Sequence, residues 1–230
     1  RKDRELTRDV EFALVRGPRI FVERIDIEGN TTTIDRVIRR QFDTVEGDPF
    51  NPREIRETAE RIRALGYFSD ADVNAREGSR PDQVIVDVDV EETTTGTLSF
   101  GASYSSDTGF GITAGFSERN FLGRGQRLSA SASIGGETAN YNIDFFEPSF
   151  LGRDVGFGLS TGYQESEDFN SLYDTTFFTF RPSLTFNVNE FTTATTFLSV
   201  GVSEMKNYRG TGASFSPTLC TAQKYGPLHT

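Results

Sequence analysis

The chain has 230 residues, with 24 Lys or Arg against 34 Asp or Glu and a formal net charge of −10. That acidic balance argues against a nucleic-acid partner, because phosphate recognition calls for a basic patch. The single cysteine, Cys220, excludes an internal disulfide, and the single histidine, His229, has no partner base or ligand cluster beside it, so no catalytic residue, metal site or cofactor is expected.

Charge is unevenly spread along the chain. Residues 1–96 hold 16 Lys or Arg and 22 Asp or Glu, whereas residues 97–203 hold five Arg, eleven Asp or Glu and no Lys. The chain therefore divides into a small, densely charged α+β domain and a second, sheet-forming region. The polar stretch Glu91-Glu92-Thr93-Thr94-Thr95-Gly96 marks the boundary.

In chain order, residues 1–18 read as the end of a preceding module: Val10, Phe12 and Leu14 alternate as a strand that Arg16-Gly17-Pro18 breaks. Residues 19–93 form the first complete unit. A strand is predicted from Ile20 to Glu28, with Phe21, Ile25 and Ile27 on one face and Gly29-Asn30 ending it. Ile34, Val37, Ile38 and Phe42 have helical spacing. A second helix starts at Asn51-Pro52-Arg53-Glu54, where Asn51 caps, Pro52 takes the first helical position and Glu54 closes a capping box. Its buried stripe is Ile55, Ala59, Ile62 and Leu65, and Gly66 supplies a left-handed stop. Two strands follow, one through Ala71, Val73 and Ala75 and one alternating Val84, Val86, Val88 and Val90. The order is β-α-α-β-β.

From residue 97 to 204 about seven stretches alternate apolar with small or polar residues. Leu98, Phe100, Ala102 and Tyr104 oppose Thr97, Ser99, Gly101 and Ser103 across the first strand. The same sense recurs through Phe110 to Phe116, Leu128 to Ile134, Tyr141 to Phe145, Val155 to Tyr163, Phe178 to Val188 and Ala194 to Val202. Most charges fall in or beside predicted turns, and the two in mid-strand, Asp144 and Arg181, alternate onto the polar face. A soluble sandwich would set several Lys and Glu on its solvent face, so the pattern favours antiparallel transmembrane β-barrel strands with apolar residues toward lipid. No apolar run reaches the roughly 18 residues of a membrane helix. Gly123-Arg124-Gly125 reads as a hairpin turn, since it lacks the Lys and helix of a phosphate loop. Residues 205–230 lose the alternation and read as a loop or an aberrant tail.

The run Phe21 to Thr31, the segment Leu65-Gly66-Tyr67-Phe68 and the run Arg119-Asn120-Phe121-Leu122-Gly123-Arg124-Gly125 together resemble the BamA family of bacterial outer-membrane assembly factors, over roughly residues 10–204. The resemblance implies that the β-α-α-β-β unit is a periplasmic POTRA domain, the last of several, joined directly to the first strand of an outer-membrane barrel. It also implies that this chain is an incomplete barrel, because such barrels close with an even strand number about twice that counted here. The family's Arg-Gly-Phe loop motif has no counterpart in the chain.

Function would then reside in a strand edge. The resemblance makes Thr97, Leu98, Ser99, Phe100, Gly101, Ala102, Ser103 and Tyr104 the first barrel strand, closing against the last through a weak seam. An exposed edge is a template for a nascent outer-membrane protein to add its own strand by main-chain hydrogen bonds. Edge strands of the POTRA domain would bind unfolded chain in the same way. By resemblance, Glu46 in the loop Val45-Glu46-Gly47-Asp48-Pro49 would dock an accessory assembly lipoprotein, and outer-membrane lipid would cover the apolar face. A two-partner secretion pore of the same superfamily and a passive outer-membrane channel are the alternatives.

Overall fold

The computed structural model describes residues 19–106, 109–167, 172–189 and 191–207. Residues 1–18, the Cys220 and His229 positions and the rest of the tail beyond Asn207 lie outside them.

The first unit runs β1 (Phe21–Glu28), α1 (Asp35–Arg39), α2 (Pro52–Ala64), β2 (Phe68–Glu77) and β3 (Gln83–Glu92). Its sheet has the order β1-β3-β2, with β1 and β3 parallel and β2 and β3 antiparallel. The parallel pair requires a crossover, which the two helices provide. The core gathers Val22, Ile25, Val37, Ile38, Ile55, Ile62, Tyr67, Phe68, Ala71, Val86, Val88 and Val90.

Three local expectations are corrected here. In β1 a register shift between Val22 and Arg24 turns the strand, so that Val22 and Ile25 are both buried while Phe21 is only half-buried. Strict period-2 counting cannot anticipate such a bulge. The first helix is a single turn, and Ile34 sits exposed at its N-cap while Val37 and Ile38 enter the core. At α2, Asn51 does cap, accepting from the Arg53 N–H at 3.1 Å. Glu54, however, turns away from the box to accept the Thr44 hydroxyl at 2.5 Å. Gly66 adopts φ +69°, the left-handed stop expected of it.

The second region is one antiparallel sheet of β4 (Gly96–Ser105), β5 (Gly109–Phe121), β6 (Gln126–Ile134), β7 (Thr138–Glu147), β8 (Val155–Ser166), β9 (Asp174–Asn189), β10 (Thr192–Phe197) and β11 (Val200–Lys206). Strands follow in sequence order from β4 at one edge, and β10 and β11 lie end to end along β9. They occupy the position of the seventh predicted stretch, interrupted at residues 198–199, and the pairing continues to Lys206 rather than stopping at 204.

Register gives the faces directly. One row crosses the sheet as Leu98, Phe116, Ala130, Ile143, Thr161, Phe180 and Val200. The row beside it, on the opposite face, is Ser99, Gly115, Ser131, Asn142, Gly162, Thr179 and Gly201. Asp144 and Arg181 share a row of that polar face with Ser160 between them. The same face carries a few rings laid over small residues. A Cβ on Gly156 would stand 2.7 Å from the Phe146 ring, which also lies under the Arg127 guanidinium at 5.7 Å. Phe177 packs against Gly201, and Arg181 lies 5.2 Å from the Phe197 ring centre.

Candidate strand-pairing edge and its junction with the first domain

β4 is bonded to β5 on one side, and no strand pairs with its other side among the described residues. Its apolar face is large and open: Leu98 is 64% exposed, Phe100 77% and Tyr104 80%. Its polar face is nearly bare. Ser99 opposes Gly115, Gly101 opposes Thr113 and Ser103 opposes Gly111, so each pair joins a glycine to a small hydroxyl residue. A Cβ on Gly101 would come within 2.6 Å of the Thr113 hydroxyl, and one on Gly115 within 2.7 Å of that of Ser99. Main-chain bonding to β5 thus holds this strand with little side-chain packing on that face. All eight residues predicted for the pairing edge, Thr97 to Tyr104, lie on β4.

Glu46 lies in the loop between the helices and forms an ion pair with Arg39 at 2.9 Å, both side chains being well exposed. Arg39 also donates to the Ile25 carbonyl at 2.8 Å. The loop itself seals part of β1: the Gly47 N–H donates to the Val22 carbonyl at 2.7 Å, the Val22 N–H to that of Asp48 at 2.9 Å, and the Phe50 N–H to that of Ile20 at 2.8 Å. The opposite sheet edge, β2, carries no such cover among the described residues.

The two regions meet at a cleft of about 410 Å³ lined by Thr33, Tyr67, Glu92, Thr95, Glu118 and Asn120, among others. Glu92, the last residue of β3, gathers the loop after β1 by accepting the Thr31 hydroxyl at 2.7 Å and the N–H groups of Thr32 at 3.0 Å and Thr33 at 2.6 Å. Partial burial pushes its carboxyl upward, but these donors, led by the Thr33 N–H, outweigh it and hold the pKa at about 2. Burial of Tyr67 raises its phenol. Glu118 of β5 accepts the Thr95 hydroxyl and the Asn120 N–H. Sequence reasoning did not single out Asn120, Thr33 or Glu92 as site residues. The usable signal was the pair Gly123 and Gly125 around a hairpin, both of which adopt φ +69°.

Comparison with known proteins bears on this arrangement. Residues 20–93 match the POTRA model described as surface antigen variable number repeat, and residues 120–225 match the Omp85 superfamily domain. The chain carries a POTRA domain followed by the start of an Omp85-type barrel. Its POTRA unit and sheet therefore belong to an outer-membrane β-barrel protein with the POTRA domain in the periplasm. It is 33% identical over 160 residues to the outer membrane protein assembly factor BamA of Neisseria meningitidis, covering 68% of this chain and 20% of that protein. The chain thus spans about a fifth of the length of the curated relatives it matches. The crystal structure of BamA from Haemophilus ducreyi lacking POTRA domains 1–3 superposes with a TM-score of 0.70 at 26% identity, over 83% of this chain and 37% of that one. CdiB from Escherichia coli shares the fold, with a TM-score of 0.55 at 18% identity over 81% of this chain and 38% of its own.

Proposed function

We propose that the protein assembles β-barrel proteins into the bacterial outer membrane and that β4 is the template on which a nascent strand pairs. The observation that carries this reading is the polar face of β4, where Ser99, Gly101 and Ser103 meet only Gly115, Thr113 and Gly111 of β5, so side-chain packing does little to fix the strand in place. A substrate's terminal strand adds there by β-augmentation, through main-chain hydrogen bonds that tolerate most side chains, and no covalent chemistry is needed. The names of the Neisseria and Haemophilus relatives support the assembly role.

In the same reading the POTRA domain receives unfolded substrate along β2, since the loop at residues 47–50 already occupies the start of β1. Glu46 offers its carboxylate to an accessory lipoprotein in exchange for Arg39, and outer-membrane lipid covers the row through Leu98, Phe116 and Ile143. Replacing Glu46 with Lys should abolish lipoprotein co-purification, and unchanged recovery would remove that assignment.

Photocrosslinking from Ser99 and Gly101 of the complete protein, in cells exporting a barrel substrate, tests the template. Crosslinks to the substrate's terminal strand are expected. Crosslinks confined to the protein's own last strand would instead mean a sealed barrel and would favour a two-partner secretion pore.

A further inference from the structure

The covalent link between the POTRA domain and the sheet enters β4, yet the hydrogen bonds between the two regions gather elsewhere. They run to the turn that joins β5 to β6. The Gly123 carbonyl accepts the Ile34 N–H at 2.9 Å, at the uncapped start of α1. Asn120, only 7% exposed, donates from its side-chain amide to the Thr33 hydroxyl at 2.8 Å and accepts the Gly125 N–H on its amide oxygen, also at 2.8 Å. The Tyr67 hydroxyl reaches the Gly125 carbonyl at 3.3 Å.

Backbone shape makes the fit close. A Cβ on Gly123 would lie 1.9 Å from the Thr32 carbonyl oxygen, and one on Gly125 would lie 2.6 Å from the Arg40 guanidinium and 3.4 Å from Val37. The Thr32 backbone closes Gly123 to any side chain, and both glycines hold φ +69°, where a side chain is strained; at Gly125 the near atom is the movable end of Arg40. Arg119, just before the turn, lies over Gly66, the stop of α2. The linker is held by the same hairpin, since the Thr95 hydroxyl bonds Glu118 and the Arg119 N–H donates to the Thr95 carbonyl at 3.4 Å. The hydrogen bonds of residues 97–104, by contrast, run to β5.

We propose that the Asn120–Gly125 turn is a latch that fixes the POTRA domain to the β5–β6 hairpin, with Asn120 as its positioning residue, leaving β4 to shift without carrying the domain along. The second half of this proposal rests on the template reading above. A domain tied to the moving edge would have to reorient each time a guest strand entered. One tied a strand further in keeps its aim while the edge exchanges partners. Asn120 suits the task because a single buried side chain closes the turn internally and binds the domain, so its loss leaves the Gly125 N–H without its acceptor and, at the same time, breaks the tie to the Thr33 hydroxyl.

The test places spin labels at Glu60→Cys on α2 and Thr138→Cys on β7 of the complete protein in lipid nanodiscs, with Cys220→Ser, and reads the distance distribution between them. One narrow population is expected for the parent and for Leu122→Ala, whose side chain is 67% exposed at the tip of the turn. Asn120→Ala, Thr33→Val and Gly123→Ala should each lose that single population, and Asn120→Ala with Thr33→Val should be no broader than either alone. Parent-like narrow distributions in all three variants would overturn the latch.

The second arm adds a peptide copying the terminal strand of a barrel protein, with a photocrosslinker at Ser99. A crosslink with the label distance unchanged is expected. A crosslink with a displaced distance would mean that the domain follows β4 and would overturn the decoupling. Absence of a crosslink would count against the template reading, while the variant distributions would still decide the latch.

Discussion

The POTRA domain and the sheet use the same alternation of apolar residues and bury opposite sides of it. Among the described residues, every buried hydrophobic side chain lies between Val22 and Val90. Beyond that point large apolar side chains are exposed instead: Phe110 is 63% exposed, Ile143 50% and Val188 63%. In water the first pattern is a core and the second a liability, since contiguous apolar surface of that extent marks an interaction surface. In a bilayer the second pattern is the one required. The two regions show that strand periodicity records which face is apolar, whereas charge placement records which solvent that face meets.

Substitutions can break the comparison from either side. The largest effect is expected for Ile62→Ala, at a fully buried site in α2, which should cost about 2–5 kcal/mol in denaturant unfolding of the soluble domain. Ile143→Arg, in the middle of the apolar row, should cost about 2–4 kcal/mol when the complete protein folds into lipid vesicles. Ser131→Arg, one position along and on the other face, should cost far less, and equal penalties would contradict the assignment of faces. Asn51→Ala removes the cap of α2 and should cost about 1 kcal/mol in the same unfolding measurement of the soluble domain.

A further effect is a pH slope. The folded-state pKa of Glu92 is held at about 2, below its ordinary 4.5. A depressed carboxyl stabilises the folded state fully above its unfolded pKa and loses that contribution as pH falls through the folded value. Stability of the POTRA domain should therefore decline between about pH 4.5 and 2, with part of the slope absent in Glu92→Gln. An unchanged slope in that variant would show that the Thr31–Thr33 loop holds without the carboxylate.

Much of the architecture is legible in the chain because it depends on local repetition. Leu98, Phe100 and Ala102 or Val84, Val86 and Val88 announce their strands in a few residues, and Asn51-Pro52 with Gly66 brackets a helix without reference to anything distant. What escapes depends on partners far along the chain. The bulge that brings Val22 into the core is set by register against β3, and Glu54 leaves its expected box because Thr44 offers a hydroxyl. The candidate edge divides in the same way. The strand from Thr97 to Tyr104 can be named from alternation and its place as the pairing edge from the family resemblance, but that Asn120 meets Thr33 across 87 positions follows only from the packed fold.

The rings on the polar face also grade the wall mechanically. Between β6 and β11, Arg127 on Phe146, Phe146 on Gly156, Arg181 on Phe197 and Phe177 on Gly201 tie neighbouring strands together above the backbone. From β4 to β6 the paired positions of the same layer hold only serine, threonine and glycine. A sheet reinforced in one part and thin in another bends where it is thin, so strain applied to this wall will collect among its first three strands and spare those beyond.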